Sequence, residues 1–203
     1  MNDSLTPDAP SSSVATEGEV GGRLANFSGR SFSRDVSLER WTVRDGERDK
    51  FFMRRALVEA ELAAEEGEVP IGAVLVCQNC IIARDHNRRE RLCDPTAHAE
   101  TLVLRQASLF YPSWRIEDAE LFVTLEPCMM CAGALVQSRV NRVVFGARDP
   151  KGGAVVSLYA ALSDPRLNWR CEVVEGVLRE ECAEALRAFF RAKRTKKSLD
   201  ERL

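Results

Sequence analysis

Ile71-Gly72-Ala73-Val74-Leu75-Val76 is a short, continuously apolar run, the pattern of a strand buried on both faces of a sheet. Gln78-Asn79 follows as a turn pair, so the chain is expected to fold back into a second strand from Cys80 to about Ala83 or beyond. Upstream, Phe52, Ala56, Ala60 and Ala63 recur at helical spacing with Glu59, Glu61 and Glu65 outward. That predicts a helix from near Asp49 to about Glu66, with Gly67 suited to its end. Downstream the pattern predicts a helix from Thr96 to about Leu109, a strand from Glu120 to Leu125 and a helix from Met129 to Ser138. A strand from Arg142 to Phe145, a fifth near Glu172–Glu175 and a closing helix from about Arg179 to Ala192 complete the series. Helices alternating with strands after an opening hairpin imply a three-layer α/β/α domain around a five-stranded mixed sheet. There is no internal repeat and no GxGxxG.

A length of 203 residues suits one domain with a tail. Apolar residues are 45% and charged residues 30%, the balance of an ordinary globular protein. Lys and Arg number 29 against 31 Asp and Glu, so no global basicity announces a nucleic-acid partner. The first 50 residues hold 7 basic and 9 acidic groups, which leaves 22 of each in the remainder. Met1 to Gly22 is rich in Ser, Pro, Gly and acid and has no aromatic residue, too little apolar surface to offset the entropy of ordering. Residues 1–48 are therefore expected to be a mostly disordered extension, with a short helix possible around Ser37–Val43, and residues 49–203 the functional domain. No apolar run approaches the roughly 18 residues of a membrane span. Met1-Asn2-Asp3-Ser4 lacks the basic start and apolar stretch of a signal peptide. The seven cysteines then read as thiols or metal ligands in a reducing cytoplasm.

Two segments carry chemistry: Asp94-Pro95-Thr96-Ala97-His98-Ala99-Glu100, and Leu125-Glu126-Pro127-Cys128-Met129-Met130-Cys131-Ala132-Gly133-Ala134. Pro127 fits the first turn of a helix, where its missing N–H is harmless. Cys128 and Cys131 then lie one turn apart at a helix N-terminus, whose N–H groups and dipole favour thiolates. Two thiolates with the imidazole of His98 make a three-ligand zinc site that keeps a fourth position for water, the arrangement of a catalytic site. Zinc lowers the pKa of that water from 15.7 to about 7, which supplies hydroxide at neutral pH. Glu100 is better cast as the group that moves protons than as a fourth ligand. Taken alone, a Cys-x-x-Cys pair is as often half of a structural zinc ribbon, and Cys77-Gln78-Asn79-Cys80 offers a complement. The 47 residues between Cys80 and Cys128 are too many for that pairing, so Cys77 and Cys80 are read as thiols flanking a turn. Cys93, Cys171 and Cys182 are read as inert or partly buried thiols, Cys93 the most reactive. His86, with no glutamate two residues later, is placed at the mouth of the site or around it.

His-x-Glu followed by Pro-Cys-x-x-Cys is the known signature of zinc-dependent nucleobase deaminases. From about Phe52 to Lys193 the chain resembles the bacterial tRNA-specific adenosine deaminases of the cytidine-deaminase superfamily. The matching stretches are Glu68 to Val74, Asp94 to Glu100, Leu125 to Ala134 and Val143 to Asp149, with Phe189-Phe190-Arg191 near the end. The resemblance implies a cytidine-deaminase-like fold and a zinc-bound hydroxide that attacks carbon 6 of adenine at the wobble position, position 34, of a tRNA anticodon. Glu100 protonates ring nitrogen 1 and then the departing ammonia, which leaves inosine. It further implies one zinc per subunit, a homodimer with both subunits on the anticodon loop, and a preference for an arginine tRNA. Asn87 matches the asparagine that contacts the target nucleoside, Arg148-Asp149 matches a loop lining the RNA cleft, and Phe190 lies in a segment that reaches nucleotides.

Two basic patches suit phosphate contacts. Arg84, Arg88, Arg89 and Arg91 lie just upstream of His98, and Arg187, Arg191, Lys193, Arg194, Lys196 and Lys197 run with no acid between the first and the last. Deamination of a free base or nucleoside of the guanine or cytosine type is the alternative chemistry, but a small substrate needs no phosphate-binding flank. A zinc-stabilised binding module is the non-enzymatic alternative, and it would have no need of Glu100.

Overall fold

The computed structural model describes Trp41 and residues 47–109, 111 and 113–200, the last five of these as backbone only. The expected extension lies outside the described residues except for Trp41, Glu47 and Arg48, and so does the short helix expected around Ser37–Val43 except for Trp41. In chain order the elements are α1 (Arg48–Glu65), β1 (Gly72–Cys77), β2 (Cys80–His86), α2 (Arg89–Leu92), α3 (Ala99–Ser108), β3 (Ala119–Leu125), α4 (Met129–Ser138), β4 (Arg142–Ala147), β5 (Glu172–Glu175) and α5 (Arg179–Asp200). The five strands lie in the order β2-β1-β3-β4-β5. β1 is antiparallel to both of its neighbours, and β3, β4 and β5 are mutually parallel. This is the mixed sheet that the alternation of elements predicts.

Side chains alternate across the sheet with the period of two that a pleated strand imposes. Ala73, Leu75, Leu121, Val123, Val143 and Phe145 pack with Val103 and Leu104 of α3 and Leu135 and Val136 of α4. Val74, Val76, Phe122 and Val144 point the other way, onto Phe52, Met53 and Ala56 of α1 and Cys182 of α5. Two apolar cores, one on each face, therefore define three layers. The hairpin turns on Gln78 and Asn79 at φ 50° and 63°, the left-handed pair that matches strand twist. Cys77 and Cys80 face each other across it as the last register pair, buried and without a disulfide. Gly67 takes φ 81° just past α1, a conformation open to glycine at little cost.

At the amino ends of the parallel strands, Arg142 bonds Asp49 at 2.6 and 3.0 Å, Glu120 at 3.0 Å and Glu172 at 3.1 Å. Arg48 pairs with Asp49 and Glu120 and bonds Asn79 at 2.8 Å. This network ties α1 to β3, β4 and β5 at one end and leaves their carboxyl ends, where open α/β sheets place their ligands, for the site.

The main differences from the sequence reading are two helix boundaries and one added helical turn, beside shifts of one or two residues at strand ends such as that of β4. α3 starts at Ala99 because Asp94 Oδ1 accepts both the N–H and the hydroxyl of Thr96, at 2.7 and 2.6 Å, a local turn that competes with helix. α5 runs on to Asp200, since no Gly or Pro from Lys193 to Asp200 stops it and basic residues suit a helix end. α2 is a single turn with no buried residue, and so leaves no apolar period to read. No helix among the described residues is long and apolar enough to cross a membrane.

Candidate active site

Two helix starts meet at the carboxyl end of β3. His98 caps α3 with φ −83° and ψ 153°, and Cys128 caps α4 with φ −75° and ψ 174°. Both are extended residues whose side chains project from the first turn. Cys131 follows one turn into α4, fully buried. His98 Nδ1 lies 3.7 Å from Cys128 Sγ and 3.6 Å from Cys131 Sγ. The three ligand atoms all fall within 4.8 Å of one another, the group of metal-ligating side chains found among the described residues. A tetrahedral zinc with bonds of about 2.3 Å to sulfur and about 2.0–2.1 Å to nitrogen sets each N···S edge near 3.6 Å. The donor set and its spacing fit that ion, and Cys77, Cys80 and His86 stand outside the group.

The two thiols are unequal. Cys131 donates to Cys128, which with His98 drives the Cys128 thiol down to about 3 against the effect of burial. The same bond, with burial and Glu100, pushes Cys131 well above the ordinary thiol range. His98 is raised, chiefly by its bond to Cys128. Metal binding displaces the protons of such ligand groups, so a depressed thiol at this position favours uptake of a cation. Glu100, in the first turn of α3, is 3% exposed. Burial raises its carboxyl pKa, while its own backbone N–H and His98 pull the other way. A buried carboxyl with a raised pKa, beside the ligand group, is suited to giving and taking a proton.

The sequence of residues 47–194 matches the MafB19-like deaminase family. The chain is 56% identical over 149 residues to the tRNA-specific adenosine deaminase of Bacillus subtilis (strain 168), an alignment that spans 73% of this chain and 92% of that one. The chain belongs to the tRNA-specific adenosine deaminase family. The deaminase is also 50% identical over 143 residues to the tRNA-specific adenosine deaminase of Agrobacterium fabrum, over 70% of its own length and 94% of the relative's. A solved structure from work on A-to-I editing by tRNA:A34 deaminases at the wobble position superposes with a TM-score of 0.63 at 48% identity. It covers 67% of this chain and 99% of that one.

The remaining sequence-predicted residues are distributed around this centre. Asn87 of the deaminase is buried, and its Oδ1 accepts the N–H of Ala99, next to His98. Arg148 forms a two-pronged pair with Glu175 at 2.6 and 2.7 Å. Asp149 accepts the N–H of Lys151 at 2.9 Å and donates its own N–H to Glu126. Phe190 is 42% exposed on α5, across the sheet from α3 and α4, with its ring edge-on to Phe189. The upstream arginines are largely engaged: Arg88 with Asp85 at 2.9 Å, Arg91 with Glu66 at 2.9 Å and Arg84 near Glu59 at 3.6 Å. His86 is not at an open mouth. It is buried at 2% exposure under α1, with Nδ1 and Nε2 each 3.3 Å from the carboxylates of Glu59 and Glu66 respectively. Sequence reasoning passed over Glu126, whose carboxylate ties residues 149–157 to this end of the sheet, and Asp85, whose carboxylate accepts from Arg88 and from Gln106 of α3. An acid directly before Pro-Cys was visible, but nothing local names the distant segment that it binds.

Proposed function

We infer that this deaminase converts adenosine to inosine at position 34 of a tRNA anticodon. The observation that carries the reading is the meeting of Glu100 with His98, Cys128 and Cys131 in a chain 56% identical to a tRNA-specific adenosine deaminase. His98, Cys128 and Cys131 would hold one zinc ion per subunit. When bound, zinc supplies a water acidified to near neutrality. Glu100 would carry a proton from the attacking water to ring nitrogen 1 of the purine. It then passes a proton to the amino nitrogen, and ammonia leaves; the sum is one water consumed and one ammonia released. The backbone of His98 and Glu100 is held in place through Asn87, which would also meet the nucleoside. Extrusion of the base from an anticodon loop requires little unstacking, which suits a narrow pocket.

Arg148, Asp149, Phe190 and the basic end of α5 are proposed as RNA contacts. We further propose a homodimer that buries Met129 and Met130 of α4 with Val156, Leu158 and Tyr159 of the following loop. All five are exposed apolar side chains, and Cys128 and Gly153 pair to join their two segments. An arginine tRNA is the proposed substrate. None of the seven cysteines is in a disulfide, which suits work in the cytoplasm. Incubation with an anticodon stem-loop carrying adenosine 34, and separately with free guanine and cytosine, tests the reading. Inosine in the RNA supports it, and ammonia from the free bases alone overturns it.

A further inference from the structure

Glu126 takes no part in the chemistry above, yet its carboxylate is 2% exposed and accepts five hydrogen bonds. Oε1 accepts the N–H groups of Val155, Val156 and Ser157 at 3.1, 2.7 and 2.8 Å. Oε2 accepts the N–H of Asp149 at 3.0 Å and the hydroxyl of Ser157. Four of these donors are backbone groups of one segment, residues 149–157, between β4 and β5. Successive inward N–H groups form an anion-binding concavity, and here the anion is the protein's own side chain. A Cβ at Gly153 would come within 2.3 Å of Glu126 Cδ, so the segment closes around the carboxylate only with glycine there.

The same segment lies along the chain that leads into α4. The N–H of Ala154 donates to Pro127 O at 2.9 Å, and Gly153 pairs antiparallel with Cys128. Glu126 itself donates its N–H to Ala147 O at 2.8 Å, at the end of β4. The backbone of Cys128 is therefore held between α4, which it caps, and a segment gathered by Glu126.

We propose that Glu126 is a positioning residue: by drawing residues 149–157 against Pro127-Cys128 it fixes the direction in which Cys128 presents its sulfur to His98 and Cys131. The proposal rests on the reading of Cys128 as a metal ligand. It also explains why the residue is a carboxylate. All five partners donate, so glutamine of the same shape would turn an amino group toward N–H groups and leave a buried donor without an acceptor, a costly state.

Zinc titration against a chromophoric chelator, with hydrogen exchange of residues 149–157 followed on the same samples, tests this. The samples are the full chain, Glu126→Gln and Ser157→Ala. Glu126→Gln is expected to bind zinc about 10–100-fold more weakly, the range seen when the outer partners of metal ligands are removed, with faster exchange in residues 149–157. Ser157→Ala keeps the four N–H bonds and is expected to bind zinc nearly as the unaltered chain does. Unchanged zinc affinity in a folded Glu126→Gln, with faster exchange, overturns the proposal and leaves Glu126 an anchor of the loop alone. Should Glu126→Gln not fold, Glu126→Asp carries the test: the shortened carboxylate must weaken zinc binding, and equal affinity overturns the proposal. An unaltered chain that takes up no zinc overturns instead the ligand assignment of Cys128, and the proposal with it.

Discussion

The side-chain oxygen of Asn87 accepts the backbone N–H of Ala99 at 3.0 Å. This one bond joins the end of β2 to the first turn of α3, between His98 and Glu100. Ala99 is fully buried, so its N–H has no recourse to water. Asn87→Ala should therefore lower stability by about 1–3 kcal/mol, the cost of a buried donor left unmade. Thermal unfolding checks this, and an unchanged midpoint would mean that the helix start is held by other contacts.

Metal removal is the second expectation. Dialysis against a strong chelator should abolish deamination, and added zinc should restore it. His98→Ala and Cys131→Ser should each copurify with far less than one zinc per chain by atomic emission. Full occupancy in Cys131→Ser would contradict the ligand set.

The third concerns acid stability. Burial opposes the charge of Asp49, but its bonds to Arg142, with Arg48 nearby, hold the carboxyl below its ordinary range. A carboxylate with a lowered folded pKa contributes stability above its unfolded value of about 3.9 and loses it as pH falls through the folded value. Asp49→Asn should thus cost about 1–2 kcal/mol at neutral pH, for a charged hydrogen bond discounted for partial exposure. The difference should shrink as denaturant melts are moved below pH 4, and a constant difference at all pH values would rule the linkage out.

Salt dependence tests the RNA surface. Replacing Lys193, Arg194, Lys196 and Lys197 with neutral residues should weaken stem-loop binding and flatten its dependence on salt by up to about 0.7–0.9 log units per lost phosphate contact. An unchanged slope would make the end of α5 a bystander.

Much of this was legible because the chemistry and the core are local in sequence. The run Ile71 to Val76 announced the opening hairpin, whose second strand forms one edge of the sheet, and Met129–Ser138 emerged with the expected bounds. His98, Cys128 and Cys131 were grouped by motif and spacing, and the two helix starts bring their ligand atoms within 4.8 Å of one another, with Glu100 buried in the first turn of α3. What was not legible depends on partners remote in sequence. Glu126 meets its donors 23 to 31 residues later, and Arg148 meets Glu175 after 27. His86 was expected at the mouth of the site or around it, and its burial could not be read before Glu59 of α1 and Glu66 at the end of that helix were placed beside it. The short competing turn at Asp94–Thr96 likewise outweighed the helical pattern that predicted an earlier start for α3.

The most direct test compares the unaltered chain with Glu100→Ala on tRNA bearing adenosine 34, reading inosine by sequencing and zinc by atomic emission in the same preparations. The expected result is conversion at position 34 by the unaltered chain, and a loss of at least about 10²–10⁴-fold in Glu100→Ala with zinc and fold retained. Comparable conversion by the zinc-loaded Glu100→Ala protein would contradict the account.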